Sequence, residues 1–153
     1  MVLSIFITAV LLVLALVYYL GSSGRIASDY TAVASPANVV LSAERADYAR
    51  DSRHNLAAAE SDLRRMAVTV NSFATNLDTV SFPAGAATTA EEALVTDGQK
   101  LAKLLGQQAE AHTFSKMLAL GATAGATAAA AQTQARDLRR ALRLPTPSGG
   151  MVF

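Results

Sequence analysis

The chain opens on an apolar run at 2–20, VLSIFITAVLLVLALVYYL, which starts at Val2, ends at Leu20 and holds no charged residue, proline or glycine. As a helix its 19 residues would be about 28 Å long, close to the hydrocarbon thickness of a bilayer. The pattern predicts a single transmembrane helix over 1–20. Tyr18 and Tyr19 would sit at headgroup depth, where amphipathic rings are favoured. A cleaved signal peptide is the alternative, but it needs a basic start, a shorter apolar core and a small-residue cleavage site, and the run supplies none of these well. The next stretch, GSSGRIASDYTAVAS, is small and polar and predicts a flexible linker over 21–35.

Ser35-Pro36 has the form of a helix start, with serine as N-cap and proline at the first helical position. No proline or glycine follows until Pro83. From Leu56 the apolar positions step by three and four: Ala59, Leu63, Met66, Val70, Phe73, Leu77 and Val80. That heptad seam belongs to a helix packed lengthwise on another. Phe82-Pro83-Ala84-Gly85 breaks the pattern, and Thr88 with Glu91 has the spacing of a capping box. A second helical stretch then runs over 89–144 until Pro145 and Pro147 stop it. Asp97-Gly98 is a place where it could divide, giving a three-helix bundle; Gly106 is a weaker one.

Two long helices joined by a short turn fold back antiparallel. With Gly85 as pivot, paired positions sum to about 171, a register that follows from the antiparallel fold-back. Leu77 then meets Leu94, Val70 meets Leu101, and Met66 meets Leu105. Farther from the turn, Ala43, Ala46 and Ala49 face Ala129, Gly125 or Ala126, and Ala122. The expected fold is all-α: a transmembrane anchor, then a long antiparallel helical hairpin over 36–144, coiled-coil-like with an alanine-rich seam. The turn lies near 82–88, and 145–153 is expected to be a disordered tail.

The segment 117–135 carries no charge and contains Gly121-x-x-x-Gly125, a spacing that supports close helix packing in membranes. Arg136, Arg139, Arg140 and Arg143 follow it, as after a stop-transfer segment. Its alanines, threonines and glutamines make it far less apolar than 2–20, so a tightly packed helix outside the bilayer is the favoured reading. In the hairpin these arginines lie at the base, where they could touch anionic lipid headgroups; cations complementing the helix dipole are the alternative.

Charge and chemistry narrow the function classes. A net charge of +1 argues against nucleic acid as a partner, since a binder needs a basic face to displace counterions. With no cysteine, thiolate catalysis and zinc–thiolate sites are excluded. Glu44, Asp47, Asp51 and His54 are spaced 3-4-3 and share one helical face. This face is a weak metal candidate. The favoured reading is a solvated stripe paired with Arg45, Arg50 and Arg53. His112 falls near Ala59 in the hairpin register and is expected to be a partly buried packing residue, with Glu60 as nearest acid. No phosphate loop, nucleophile elbow or HExxH motif occurs, so neither catalytic residues nor a cofactor are expected.

The pattern therefore suggests a non-catalytic, membrane-anchored accessory or scaffolding subunit of a larger membrane assembly. Its partners would be the lipid bilayer and other membrane-protein subunits, or further copies of itself. Alternatives are a self-assembling coiled-coil tether, a metal-dependent enzyme using the 44–54 face, and a lipid- or peptide-binding module. It would sit in the cell membrane with a single pass. The signal-anchor layout favours an extracytoplasmic domain, while Arg25 just after the run leaves the cytoplasmic side open.

Overall fold

Four helices follow one another: α1 (Val2–Asp51), α2 (Leu56–Leu77), α3 (Ala86–Ala109) and α4 (Phe114–Ala141). They are seen in a computed structural model that describes residues 24–145. The run at 2–20, with Tyr18 and Tyr19, and the tail beyond Pro145 lie outside the described residues. Among the described residues the regular structure is helical with no strand, and no helix is long and apolar enough to cross a membrane. That includes α4, which contains the segment weighed as a second span.

The long hairpin is folded once more on each side, so that consecutive helices pack as an up-and-down bundle. The expected turn near 82–88 is present. Gly85 stands there at φ 123°, a backbone conformation that glycine adopts without steric cost. The capping box does not form: Thr88 Oγ1 donates to the Pro83 carbonyl at 2.8 Å, and Glu91 is buried. The helix begins at Ala86 instead. Asp97-Gly98 does not divide α3, because Gly98 is packed in the α2–α3 seam.

Two breaks were not anticipated. Helix α1 ends at Asp51, and α2 restarts with Asn55 as N-cap, its side chain accepting from Ala58 N–H at 3.1 Å. Helix α3 ends at Ala109, and α4 restarts with Thr113 as N-cap, accepting from Lys116 N–H at 3.2 Å. Between them His112 takes a left-handed φ of 55°, which turns the chain back. A polar N-cap that satisfies a free helix donor is worth about 1 kcal/mol, enough to set a helix start where tertiary packing rewards it.

The start of the bundle also differs from expectation. Residues 24–35 are part of α1, not a linker, and Pro36 lies inside the helix. Proline removes the donor for the Ala32 carbonyl, which would be costly in a dry site. Here Ala32, Ser35 and Pro36 all face solvent. The opposite stripe, Tyr30, Ala34, Asn38 and Leu41, is buried in the bundle. That burial carries the helix through the proline.

Helix α2 lies on α3 close to the expected register. Ala74 Cβ is 3.2 Å from where a Cβ on Gly98 would sit, Arg64 donates to the Ala109 carbonyl at 3.3 Å, and His112 Nδ1 is 3.4 Å from Glu60 Oε1. Leu63, Val70, Phe73, Leu77, Leu94, Leu101 and Leu105 are all buried, and Met66 is partly buried against them. Helix α1 packs on the other side of α2. There Thr69 Oγ1 donates to Glu44 Oε1 at 3.1 Å, and Arg65 reaches Asp47 at 3.3 Å. The stacking of Ala43 and Ala46 against the alanines of α4 is therefore replaced by the α1–α2 pair. With four helices, each buries a stripe on its neighbours, which a two-helix hairpin cannot do.

Candidate functional site

The acidic face of α1 is taken up by ion pairs and hydrogen bonds. Among the described residues, no group of three or more histidines and carboxylates is placed to hold a metal ion. Glu44 turns inward to Thr69, Asp47 pairs with Arg50 at 2.7 Å and with Arg65, and Asp51 lies 3.5 Å from Arg50. His54 is exposed in the α1–α2 turn. The face is a charge ladder, with the α2 arginine as an unforeseen member. Asp62 also pairs with Arg65. Glu44 Oε2 and Asp62 Oδ2 are buried without a hydrogen-bond partner. Burial raises the Glu44 pKa, opposed by the Thr69 hydrogen bond and the Arg65 charge.

His112 lies beside Glu60, as its position in the hairpin requires, but its side chain is 76% exposed and not packed inside. The four arginines after 135 divide in role. Arg139 donates to the Pro145 carbonyl at 3.1 and 2.9 Å, and its guanidinium lies 5.9 Å from the Tyr30 ring centroid. Arg140 pairs with Asp137 at 2.7 Å. Arg136 and Arg143 are exposed. Tyr30 is fully buried, and burial raises its hydroxyl pKa, with Arg139 opposing.

An apolar cavity of about 490 Å³ lies among the four helices. All four helices line it. Its floor is Leu63, Val70, Leu101 and Leu105, buried residues of α2 and α3. The lining residues that are exposed, Arg45 and Ala49 on α1 and Leu118 and Gly125 on α4, belong to the other two helices. The mouth therefore lies between α1 and α4. The volume falls within the roughly 300–1,000 Å³ of small-molecule sites.

Two features hold this cavity open. Helix α4 presents Gly121, Ala124, Gly125 and Ala128 to it, a stripe with almost no side-chain volume. Gly125 is not a close-packing residue as its GxxxG spacing suggested, since a Cβ there would meet nothing within 4 Å. At Gly121 the space is taken by Gln108, whose Nε2 would lie 2.9 Å from an added Cβ. Gln108 is the second feature. It is buried, and its amide donates to the Met117 carbonyl at 3.0 Å and to the Tyr48 hydroxyl at 3.2 Å, spanning α4, α3 and α1. This bridge at one end of the bundle and Tyr30 with Arg139 at the other act as spacers between α1 and α4.

The polar groups at the cavity are few. Arg45 and Tyr48, three residues apart on one face of α1, both line it. Arg45 has no carboxylate partner among the described residues, unlike Arg50, Arg64, Arg65 and Arg140. Burial raises the Tyr48 pKa, so the phenol stays protonated at neutral pH. Its oxygen accepts from Gln108, leaving the O–H proton available. Sequence reasoning missed Arg45, Tyr48 and Gln108 as a group. The small residues at 121, 124, 125 and 128 were the available signal, read there as a packing face. No protein-family model matches the chain, and comparison with characterised proteins and with solved structures also gives no match.

Proposed function

We propose that the chain is a non-catalytic, membrane-anchored helical bundle that serves as an accessory or scaffolding subunit beside larger membrane proteins. The observation that carries this reading is the uncharged run at 2–20 just ahead of a bundle helix: residues 24–51 are helix through Pro36 and bury Tyr30, Ala34 and Leu41 in the core. A run of that length and hydropathy suits a bilayer. A domain tied to it by a bundle helix would stay close to the membrane surface. The arginine-bearing end of α4 shares the Tyr30 end of the bundle, the end nearer the run. Arg136 and Arg143 would then lie within reach of anionic headgroups.

Val39, Val40 and Val68 are exposed at 72%, 45% and 66%, apolar side chains on α1 and α2 that a neighbouring subunit or another copy could cover. Photocrosslinkers placed at Val39 and Val68 in the full chain, in intact membranes, test the reading. Crosslinks to a membrane protein other than this chain are expected. Crosslinks only between copies would favour the self-assembling tether instead. Quantitative release of the protein by alkaline carbonate would overturn the anchor and the proposal with it. Protease accessibility in sealed vesicles decides the side, with an extracytoplasmic bundle expected.

A second reading is favoured by one specific observation, the cavity of about 490 Å³: a membrane-anchored binding module for an apolar ligand. The two roles are compatible.

A further inference from the structure

We propose that the cavity between α1 and α4 binds a single-chain anionic amphiphile, a long-chain fatty acid, with its carboxylate at Arg45 and Tyr48 and its chain along the small residues of α4. This rests on the binding-module reading and adds the ligand's chemistry to it. Shape comes first. The lining positions on α4 run from Leu118 to Gln132, about 21 Å along the helix axis. On the other three helices the lining is shorter, about 12 Å on α1 and about 10 Å on α2 and α3, so α4 carries the long axis of the site. A single aliphatic chain can lie along that axis over the small residues of α4.

Polarity points the same way. The buried wall is leucine and valine, and it offers nothing to a polar ligand over most of its length. The polar lining groups are Arg45 and Tyr48 on α1, Gln108 beneath them, and Gln132 at the other end of the α4 stretch, and Arg45 alone among the lining residues is charged. A guanidinium without a carboxylate partner and a phenol with a spare proton are both donors. A carboxylate can accept from both, the kind of charge-assisted pairing that arginine favours. A neutral amphiphile would gain no ion pair with Arg45. A peptide would carry backbone donors into a cavity with few acceptors to meet them. Because Arg45 is exposed, the ion pair adds selectivity more than affinity. Most of the binding comes from covering the apolar walls.

The test uses the full chain, delipidated and placed in phosphatidylcholine nanodiscs, with palmitate carrying a diazirine in mid-chain. Labelled peptides are mapped by mass spectrometry, which separates the cavity from probe dissolved in the bilayer around 2–20. Labelling within 118–132 and 41–49 is expected. Unlabelled palmitate should compete better than hexadecanol, by about fivefold. Arg45→Glu should erase that difference. Gly125→Leu and Ala128→Leu, which fill the cavity, should abolish cavity labelling while helical content and melting are retained. Equal competition by the acid and the alcohol, or unchanged preference in Arg45→Glu, would overturn the anionic assignment and leave the binding module standing. Labelling confined to 2–20 would overturn both.

Discussion

Small residues do opposite things at two seams of this bundle. Between α2 and α3, Ala74 and Gly98 bring the backbones together, with 3.2 Å between the alanine Cβ and the place a Cβ on Gly98 would occupy. Leucines lie on both sides of that contact and interlock, as Leu77 and Leu94 are fully buried. Between α1 and α4, Ala49 faces Gly121, Ala124, Gly125 and Ala128 across empty space. The difference lies in what flanks the small residues. The α2–α3 seam has large apolar residues of matched size that pull the helices inward. The α1–α4 seam has Tyr30 at one end and the Tyr48–Gln108 bridge at the other, and these hold it apart. A stripe of small residues permits close approach, but its neighbours decide whether approach occurs.

Truncations separate the seams most strongly. Leu94→Ala, in the closed seam, should cost about 2–5 kcal/mol. Leu118→Ala, at the open mouth and 68% exposed, should stay within about 0.5 kcal/mol. Denaturant midpoints followed by circular dichroism provide the comparison. Similar losses for the two variants would mean that the α1–α4 seam is closed in solution.

Enlarging the glycines gives the two seams opposite signs. Gly98→Val would press on Ala74 and should destabilise by about 1–3 kcal/mol. Gly125→Ala meets nothing and removes a flexible residue from a helix, so it should stabilise by about 0.5–1 kcal/mol. A thermal melt of each suffices, and a stabilising Gly98→Val would refute the tight seam.

Next in size is the spacer. Gln108→Leu deletes the hydrogen bonds to Tyr48 and Met117 and should cost about 1 kcal/mol. It should also let α1 and α4 move together. A nitroxide pair at Ala49 and Gly125, read by electron spin resonance, should report a shorter distance than in the parent. An unchanged distance would remove Gln108 from its spacer role.

The smallest effect is a pH dependence at the closed α1–α2 seam. The folded Glu44 pKa is raised, mainly by burial. A raised acid favours folding most when protonated. That stability is fully present below the ordinary glutamate value of 4.5 and is lost as pH rises through the folded pKa. Glu44→Gln should therefore stabilise the bundle at neutral pH, and the gain should fade as pH falls into the carboxylate range. Glu91, whose pKa is raised by burial and then by Asp78 and Glu92, should behave with the same sign. A gain for Glu44→Gln that grows toward acid pH would contradict the burial account.

The α2–α3 pair was legible from the chain because every signal for it is local or periodic. Leu56 to Leu77 keeps one stripe, Pro83 and Gly85 mark the turn, and the turn sets the register. Sums of about 171 were expected, and Ala74 with Gly98 and Glu60 with His112 both sum to 172. The breaks at 52–55 and 110–113 were not legible in the same way. Neither contains proline or glycine, and Asn55 and Thr113 are ordinary helix residues until packing makes them caps. Conversely, Ser35-Pro36 carries a helix-start signal that burial of Tyr30, Ala34 and Leu41 overrides.

Sequence alone settled the helical class, the central seam and its register, and the apolar run at 2–20, because each depends on spacing or composition within a short window. Tertiary structure decided the two further reversals, the pairing of Glu44 and Asp47 with α2, and the cavity. Those depend on which helix faces which, and a cavity in particular is written in no residue: it is the volume left when aromatic and amide spacers stop two small-residue helix faces from meeting.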